Sequence, residues 1–188
     1  LCTFCGCNKR ITKQRSVEEP YIQALLTEWS MYLEALGGRP RIKELHFGGG
    51  TPTFFSSASL RKIVTGLLKD SSRCSSAEFS LEGHPNSTTA AHLETLRALG
   101  FERISFGVQD YNPEVQRLIN RIQPFEKVEQ ISKLSRELGF TSICHDLIFG
   151  LPKQDLDCIR HTIEKTCELK PDRIAFYSYA HVPWVKGV

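Results

Sequence analysis

A chain of 188 residues, 40% hydrophobic and 24% charged, is long enough for one substantial core and has the balance of an ordinary soluble globular protein. No stretch is apolar over the length that a bilayer crossing needs, and a net charge of +3 is too mild to argue for nucleic acid, so neither a membrane nor a nucleic acid is expected as a partner. Seven cysteines are an odd number and are not spread as a disulfide framework, which points to a reducing, cytoplasmic compartment. The chain opens on Leu1 rather than methionine and runs at once into cysteines and basic residues. That start reads as no signal peptide and as an internal piece of a longer protein, cut at both ends.

One unit recurs along the chain: a short apolar strand, a polar or glycine-rich loop, then an amphipathic helix. The first helix is expected over Val17 to Leu36, with Ile22, Leu25, Leu26, Trp29, Leu33 and Leu36 on one face. Ser16 with Glu19 reads as a capping box, and Gly37 as the stop. A strand over Ile42 to Phe47 ends in Gly48-Gly49-Gly50-Thr51-Pro52, and a helix follows with Leu60, Ile63, Val64, Leu67 and Leu68 inward. The next strand spans Ala77 to Glu82; its helix carries Leu93, Leu96 and Leu99 and stops at Gly100. A strand over Arg103 to Gln109 leads to Asn112-Pro113, an N-cap followed by proline at the first helical position. Val128, Ile131, Leu134 and Leu138 mark another helix, stopped by Gly139. The strand Thr141 to Phe149, a helix through Leu156, Ile159, Ile163 and Cys167, and a strand from Arg173 to Tyr179 complete the series. Alternation of this kind means parallel strands and right-handed crossovers, in one α/β domain that is either a sheet or a partial barrel. The strands read as near-continuous apolar runs, as if both faces were covered.

Polar residues gather at the carboxyl ends of the strands. The glycine run and Thr51 follow the first strand, Glu82-Gly83-His84-Pro85 the second, and Gln109-Asp110 the third. His145-Asp146 and Gly150 belong to the fourth, Tyr179 and His181 to the fifth. In a parallel barrel these ends share one face, where ligands bind. The glycine run lets a backbone approach a ligand and expose N–H groups, but without a following Gly-Lys-Ser/Thr it is not a P-loop. Cys2-Thr3-Phe4-Cys5-Gly6-Cys7 is a Cys-x-x-Cys with one further thiol. Zinc would want a second pair at ligand spacing. A redox pair and an iron–sulfur cluster, with Cys7 as third ligand on spacing, both stay open. Lys9, Arg10, Lys13 and Arg15 form a basic cluster, either a solvated stretch or a clamp for an anionic substrate.

These motifs resemble the radical S-adenosylmethionine (SAM) superfamily, whose signature is Cys-x-x-x-Cys-x-aromatic-Cys. Leu1-Cys2-Thr3-Phe4-Cys5 is similar to its second half, which places a first cysteine four residues ahead of Cys2. Within the superfamily the chain most resembles the oxygen-independent coproporphyrinogen III oxidases. The resemblance rests on Cys-Gly-Cys-Asn at 5–8, Gly-Gly-Gly-Thr-Pro-Thr at 48–53 and Gly-Val-Gln-Asp at 107–110, together with 115–121, 146–154 and Tyr-Ala-His at 179–181. It implies a three-quarter, TIM-like (β/α)6 barrel whose first strand and C-terminal domain lie outside this chain. It also implies a monomeric enzyme with coproporphyrinogen III as substrate, served by a separate electron donor. By the same resemblance Cys2 and Cys5 match two ligands of a [4Fe–4S] cluster. Cys7 matches a cysteine that is not a ligand and takes a catalytic part. Phe4, Gly49, Gly50, Thr51, Glu82, Gln109, Arg121, Asp146 and Ala180 match the contacts to two SAM molecules. The implied chemistry is reductive cleavage of SAM to a 5′-deoxyadenosyl radical, which takes a hydrogen from a propionate that then loses carbon dioxide.

One departure stands out: many members have Val-Asp-Pro after the glutamate, where this chain has Gly83-His84-Pro85. The chief alternative is the related haem chaperone, which shares cluster and barrel without oxidase activity. Its sequences have Cys-Asp-Phe where this chain has Cys5-Gly6-Cys7, which favours the oxidase. A different radical SAM reaction and a non-enzymatic Cys-x-x-Cys protein are the remaining readings. Taken alone, Cys2 and Cys5 are too few thiolates for a stable cluster, so residues 1–188 by themselves are expected not to hold one.

Overall fold

Every second residue of a strand faces the same way, so the sequence decides what each face of the sheet meets. The structure is a computed structural model and describes residues 2–7 and 10–180. Leu1, Asn8, Lys9 and His181, singled out above, lie outside the described residues. Helix α1 (Glu18–Leu36), strand β1 (Arg41–Phe47), α2 (Ser57–Lys69), β2 (Ser72–Gly83) and α3 (Ala90–Ala98) form the first half. Strand β3 (Arg103–Gln109), α4 (Pro113–Leu118), α5 (Phe125–Glu137), β4 (Ser142–Phe149), α6 (Leu156–Glu168) and β5 (Arg173–Ser178) form the second. All neighbouring strands pair in parallel, in the order β1-β2-β3-β4-β5, and the sheet curls into part of a barrel. No helix among the described residues is long and apolar enough to cross a membrane.

The strands are not apolar on both faces. Phe79 and Leu81 of β2, Ile104 and Phe106 of β3 and Ile143 of β4 face the helices, where they meet Leu60, Val64, Leu93, Leu96 and Ile131 in one buried core. The intervening residues, Glu78, Ser80, Glu82, Arg103, Ser105 and Asp146 among them, make the other face polar. A polar inner face is what a barrel built to hold a charged ligand requires, and it corrects the expectation of continuous apolar strands.

Local signals behave largely as their chemistry dictates. Gly37, Gly100 and Gly139 end their helices with φ of 67°, 88° and 87°, in the left-handed region that glycine enters without strain. The Asn112 side chain accepts from the N–H groups of Glu114 and Val115. Three expectations give way. The Ser16–Glu19 capping box does not form: α1 starts at Glu18 after a 3-10 turn over Arg15–Val17, and Val17 caps without a side-chain bond. The Glu18 carboxylate is instead buried and accepts from the N–H and the hydroxyl of Ser56, both at 3.1 Å, tying α1 to the start of α2. Glu19 pairs with Lys62. Helix α6 turns in Thr162 and Thr166, while Leu156, Ile163 and Cys167 are exposed. The buried N–H of Tyr111 takes its acceptor from Thr162 at 3.0 Å, and that demand selects the threonine face.

The third correction is His145. Being adjacent to Asp146 on β4, it must face the other way, and it is fully buried against α5 with Nε2 3.0 Å from Ser132 Oγ. Its Nδ1 has no partner. Burial, helped by the Arg136 charge, lowers its pKa from 6.5 to about 4. The folded ring therefore stays neutral while the unfolded one protonates below 6.5. This contribution to stability is complete above about pH 6.5 and is lost as pH falls towards 4, by an amount on the order of 3 kcal/mol. Urea unfolding at pH 7 and pH 4.5 is expected to show that slope, and His145→Leu to flatten it by nearly one proton. An unchanged slope in the variant would place the acid sensitivity elsewhere.

Candidate functional site

The carboxyl ends of the strands and the cysteine segment meet around Arg121, which lies just past α4. Its Nη2 donates to the Gly107 carbonyl at 2.5 Å, its Nη1 to Cys2 Sγ at 3.4 Å, and its Nε is buried without a partner. The cysteine segment is held from below as well. Thr3 N–H donates to the Ile119 carbonyl at 3.1 Å, and Phe4 packs against the buried cluster of Val115, Ile119 and Leu151, as do Ile148 and Tyr179. Cys2 and Cys5 sit half-buried in one tight turn, with Cys5 N–H 3.4 Å from the Cys2 carbonyl. Cys7 and Ala180, which directly follows Tyr179, are exposed.

Two carboxylates stand at the neighbouring strand ends, and the Arg121 charge acts on one of them, Asp146. Asp146 accepts from Ser105 Oγ at 2.6 Å and is approached by Cys144 Sγ at 3.7 Å. Burial raises its pKa and the Glu82 charge raises it further; Ser105, Cys144 and Arg121 pull it down. Glu82, from the end of β2, lies 3.6 Å from His46 Nε2. His84 is held as a neutral ring, its pKa lowered to about 4 by burial and by the Arg121 charge. Arg121, Asp146 and Glu82 thus form one electrostatic group with Cys2 at its rim.

The glycines here serve different needs. Gly49 has φ of 93°, a conformation that strains other residues. Gly107 is there for room, since a Cβ would stand 2.6 Å from Gln109 Nε2 and 2.8 Å from Arg121 Nη2. Gln109 itself is buried with φ of 70°, a rare and strained value for a side-chain-bearing residue at the exit of β3. Thr51 is extended and donates from Oγ1 to the Gly50 carbonyl at 2.6 Å, opening the 3-10 turn Pro52–Phe54 that leads to α2.

Not every polar strand end belongs to this face. Asp110 is fully buried and accepts from Asn112 N–H and Gln154 Nε2, both at 2.6 Å, so it clamps the β3–α4 loop to the β4–α6 loop. Arg15 is taken up by Glu18 and by the Phe54 ring, which removes it from the basic cluster. Sequence reasoning passed over Ser105, His46 and Gln123, whose amide donates to the Gly107 carbonyl at 3.2 Å. Strand parity could have found the first two, because each lies an even number of residues from a site residue on its own or the paired strand. Among the described residues no three His, Cys, Asp or Glu side chains gather at metal-binding distance.

The arrangement has known counterparts. The family model for the radical SAM superfamily matches residues 1–166. Oxygen-independent coproporphyrinogen III oxidase of Escherichia coli (strain K12) is 42% identical over 185 residues, 98% of this chain and 40% of that protein. The protein of the same description from Helicobacter pylori (strain J99) is 42% identical over 186 residues, 98% of this chain and 41% of that protein. The chain therefore spans about 40% of the length of the curated relatives it matches. The solved structure of the Escherichia coli coproporphyrinogen III oxidase, described as a radical SAM enzyme, superimposes with a TM-score of 0.93 at 41% identity, covering 98% of this chain and 42% of that one. Methylornithine synthase superimposes with a TM-score of 0.64 at 13% identity over 95% of this chain and 49% of that one, a likeness of fold alone. With the fold, the cysteine turn and the family match in agreement, the chain belongs to the radical SAM superfamily.

Proposed function

We propose that the protein containing this chain carries out the oxygen-independent oxidative decarboxylation of coproporphyrinogen III to protoporphyrinogen IX. The observation that carries this reading is the near-complete cover of the chain by oxidases of that description, 42% identical, and the TM-score of 0.93 to one of them. Superfamily membership implies a [4Fe–4S] cluster and SAM, and the donor set suits them. Cys2 and Cys5 offer two cysteine sulfurs in one turn, the ligand type iron–sulfur clusters use. The unpaired Nε of Arg121 is a buried donor, and Asp146 with Glu82, whose charge acts on it, adds two acceptors for a ligand carrying both charges.

On this reading Cys2 and Cys5 hold iron. Glu82 and Asp146 accept from the ammonium or ribose hydroxyls of SAM, and Arg121 pairs with a carboxylate. Gly49, Gly50 and Thr51 present backbone to the ligand, while Phe4, Gln109 and Ala180 border it. A second SAM shares these contacts. When bound, cluster and SAM supply one-electron cleavage and hydrogen abstraction. The chain's own residues supply orientation: Ser105 fixes Asp146, and Gly107 with Gln123 fixes Arg121. Cys7, exposed and two residues past Cys5, takes its part in the reaction rather than in holding iron. The basic stretch that includes Arg10 and Lys13 has the charge to pair with the propionates of the substrate.

In the intact protein, Glu82→Gln and Asp146→Asn are expected to keep wild-type iron and to weaken SAM. Each loses a charge-assisted bond worth roughly 1.5–3 kcal/mol, or about ten- to a hundredfold in affinity. Dissociation constants equal to wild type would remove both residues from the SAM site. Cys7→Ser is expected to retain iron and SAM and to lose most of the conversion of coproporphyrinogen III under anaerobic, reducing conditions. Equal turnover would reduce Cys7 to packing. A wild-type protein that binds haem tightly yet never decarboxylates the porphyrinogen would replace the oxidase reading with the haem chaperone.

A further inference from the structure

Two residues before the glycine run, His46 projects from β1 towards Glu82. Its partner across the ladder is Ser80, whose Oγ lies 2.8 Å from Nδ1. Glu82 lies two residues beyond Ser80 on the same strand and so on the same face. The ring's other nitrogen, Nε2, stands 3.6 Å from Glu82 Oε1. Gly48 closes the third side. A Cβ there would stand 2.8 Å from His46 Nε2 and 3.0 Å from Glu82 Oε1, and the φ of Gly48 lies outside the left-handed region. Glycine at 48 therefore serves space rather than backbone conformation, and the space is filled by this histidine–carboxylate pair.

The Glu82 side chain is 46% exposed, so little else restrains it before a ligand arrives. We propose that His46 is a positioning residue for Glu82: seated by Ser80 and given room by Gly48, its Nε2, 3.6 Å from Oε1, limits the rotation of the carboxylate that meets SAM. The Ser80 hydroxyl engages Nδ1 at 2.8 Å, which turns the other ring nitrogen, Nε2, towards the carboxylate. Holding one such rotor in advance is worth roughly three- to tenfold in affinity. The inference rests on the reading of Glu82 as a SAM contact.

The test is a double-mutant cycle on the intact protein, with SAM binding measured by equilibrium dialysis and iron content as the folding control. His46→Leu is expected to weaken SAM roughly three- to tenfold at wild-type iron. His46→Gln, whose amide N–H reaches the position of Nε2, is expected to recover most of that loss. His46→Leu combined with Glu82→Gln is expected to bind no more weakly than Glu82→Gln alone, because the histidine acts only through that carboxylate. Losses that multiply, or wild-type affinity in His46→Leu while Glu82→Gln is weakened, would overturn the inference and leave the SAM site standing. Wild-type affinity in Glu82→Gln itself would overturn both. If His46→Leu loses iron, Ser80→Ala, which removes only the hydroxyl, is put through the same cycle and judged by the same two outcomes.

Discussion

The Arg121 guanidinium is the tie on which the ligand face depends. One of its nitrogens holds the end of β3 through the Gly107 carbonyl and another reaches Cys2, so sheet and cysteine turn are fixed to a single rigid plane. The backbone N–H of Arg121 donates to the Gln116 carbonyl at 2.8 Å, which anchors the residue to α4, the helix from whose end Thr3 also hangs. Lysine could not do this, since a point charge on a flexible stem has no fork to bridge a carbonyl and a cysteine sulfur. Gly107 is the counterpart of this arrangement: any side chain there would occupy the space of the guanidinium.

The rest of the architecture lets that face be polar. The helices cover only the outer side of the sheet, where Phe79, Phe101, Phe106 and their neighbours are fully buried. Burying each such aromatic stabilises by roughly 1.5–3 kcal/mol, so the outer layer alone can hold the strands in register. The inner side is then free to carry Glu, Asp, Arg and Ser residues that would be costly in a conventional core. Division of labour between the two faces follows from strand periodicity alone, and it explains why the chemistry gathers at inward positions near the strand ends.

Much of this was legible in the sequence, for physical reasons that also mark the limits. Helix stops were readable because Gly37, Gly100 and Gly139 occupy backbone angles that few other residues accept. The limits of β3 were read as they are, since Arg103 to Gln109 is bounded by a glycine-ended helix and by Asn112-Pro113. What failed were side-chain partnerships across the chain. Ser16 and Glu19 have the spacing of a capping box, but Ser56, 38 residues beyond Glu18, offers that carboxylate two donors and wins. Leu156 and Ile163 keep helical spacing, yet the loop at Tyr111 needs an acceptor that only Thr162 supplies. His145 and Asp146 looked like one polar pair, although adjacent residues of a strand must part to opposite faces.

The electrostatics of the inner face bear on what kind of ligand it suits. Asp146 is destabilised as an anion by burial and by the nearby Glu82 charge, offset first by the Ser105 hydroxyl, then by Cys144 and the Arg121 charge. Arg121 in turn keeps one buried N–H without a partner, which costs roughly 1–3 kcal/mol until something accepts from it. A purely cationic ligand would relieve the carboxylates and leave that N–H orphaned; a purely anionic one would do the reverse and add to the repulsion at Asp146 and Glu82. A ligand carrying a cation and a carboxylate a few bonds apart would meet both demands at once, in keeping with the SAM contacts proposed above. The buried N–H of Arg121 and the carboxyl of Asp146 therefore call for opposite charges, and a ligand offering only one of them leaves the other group unmatched.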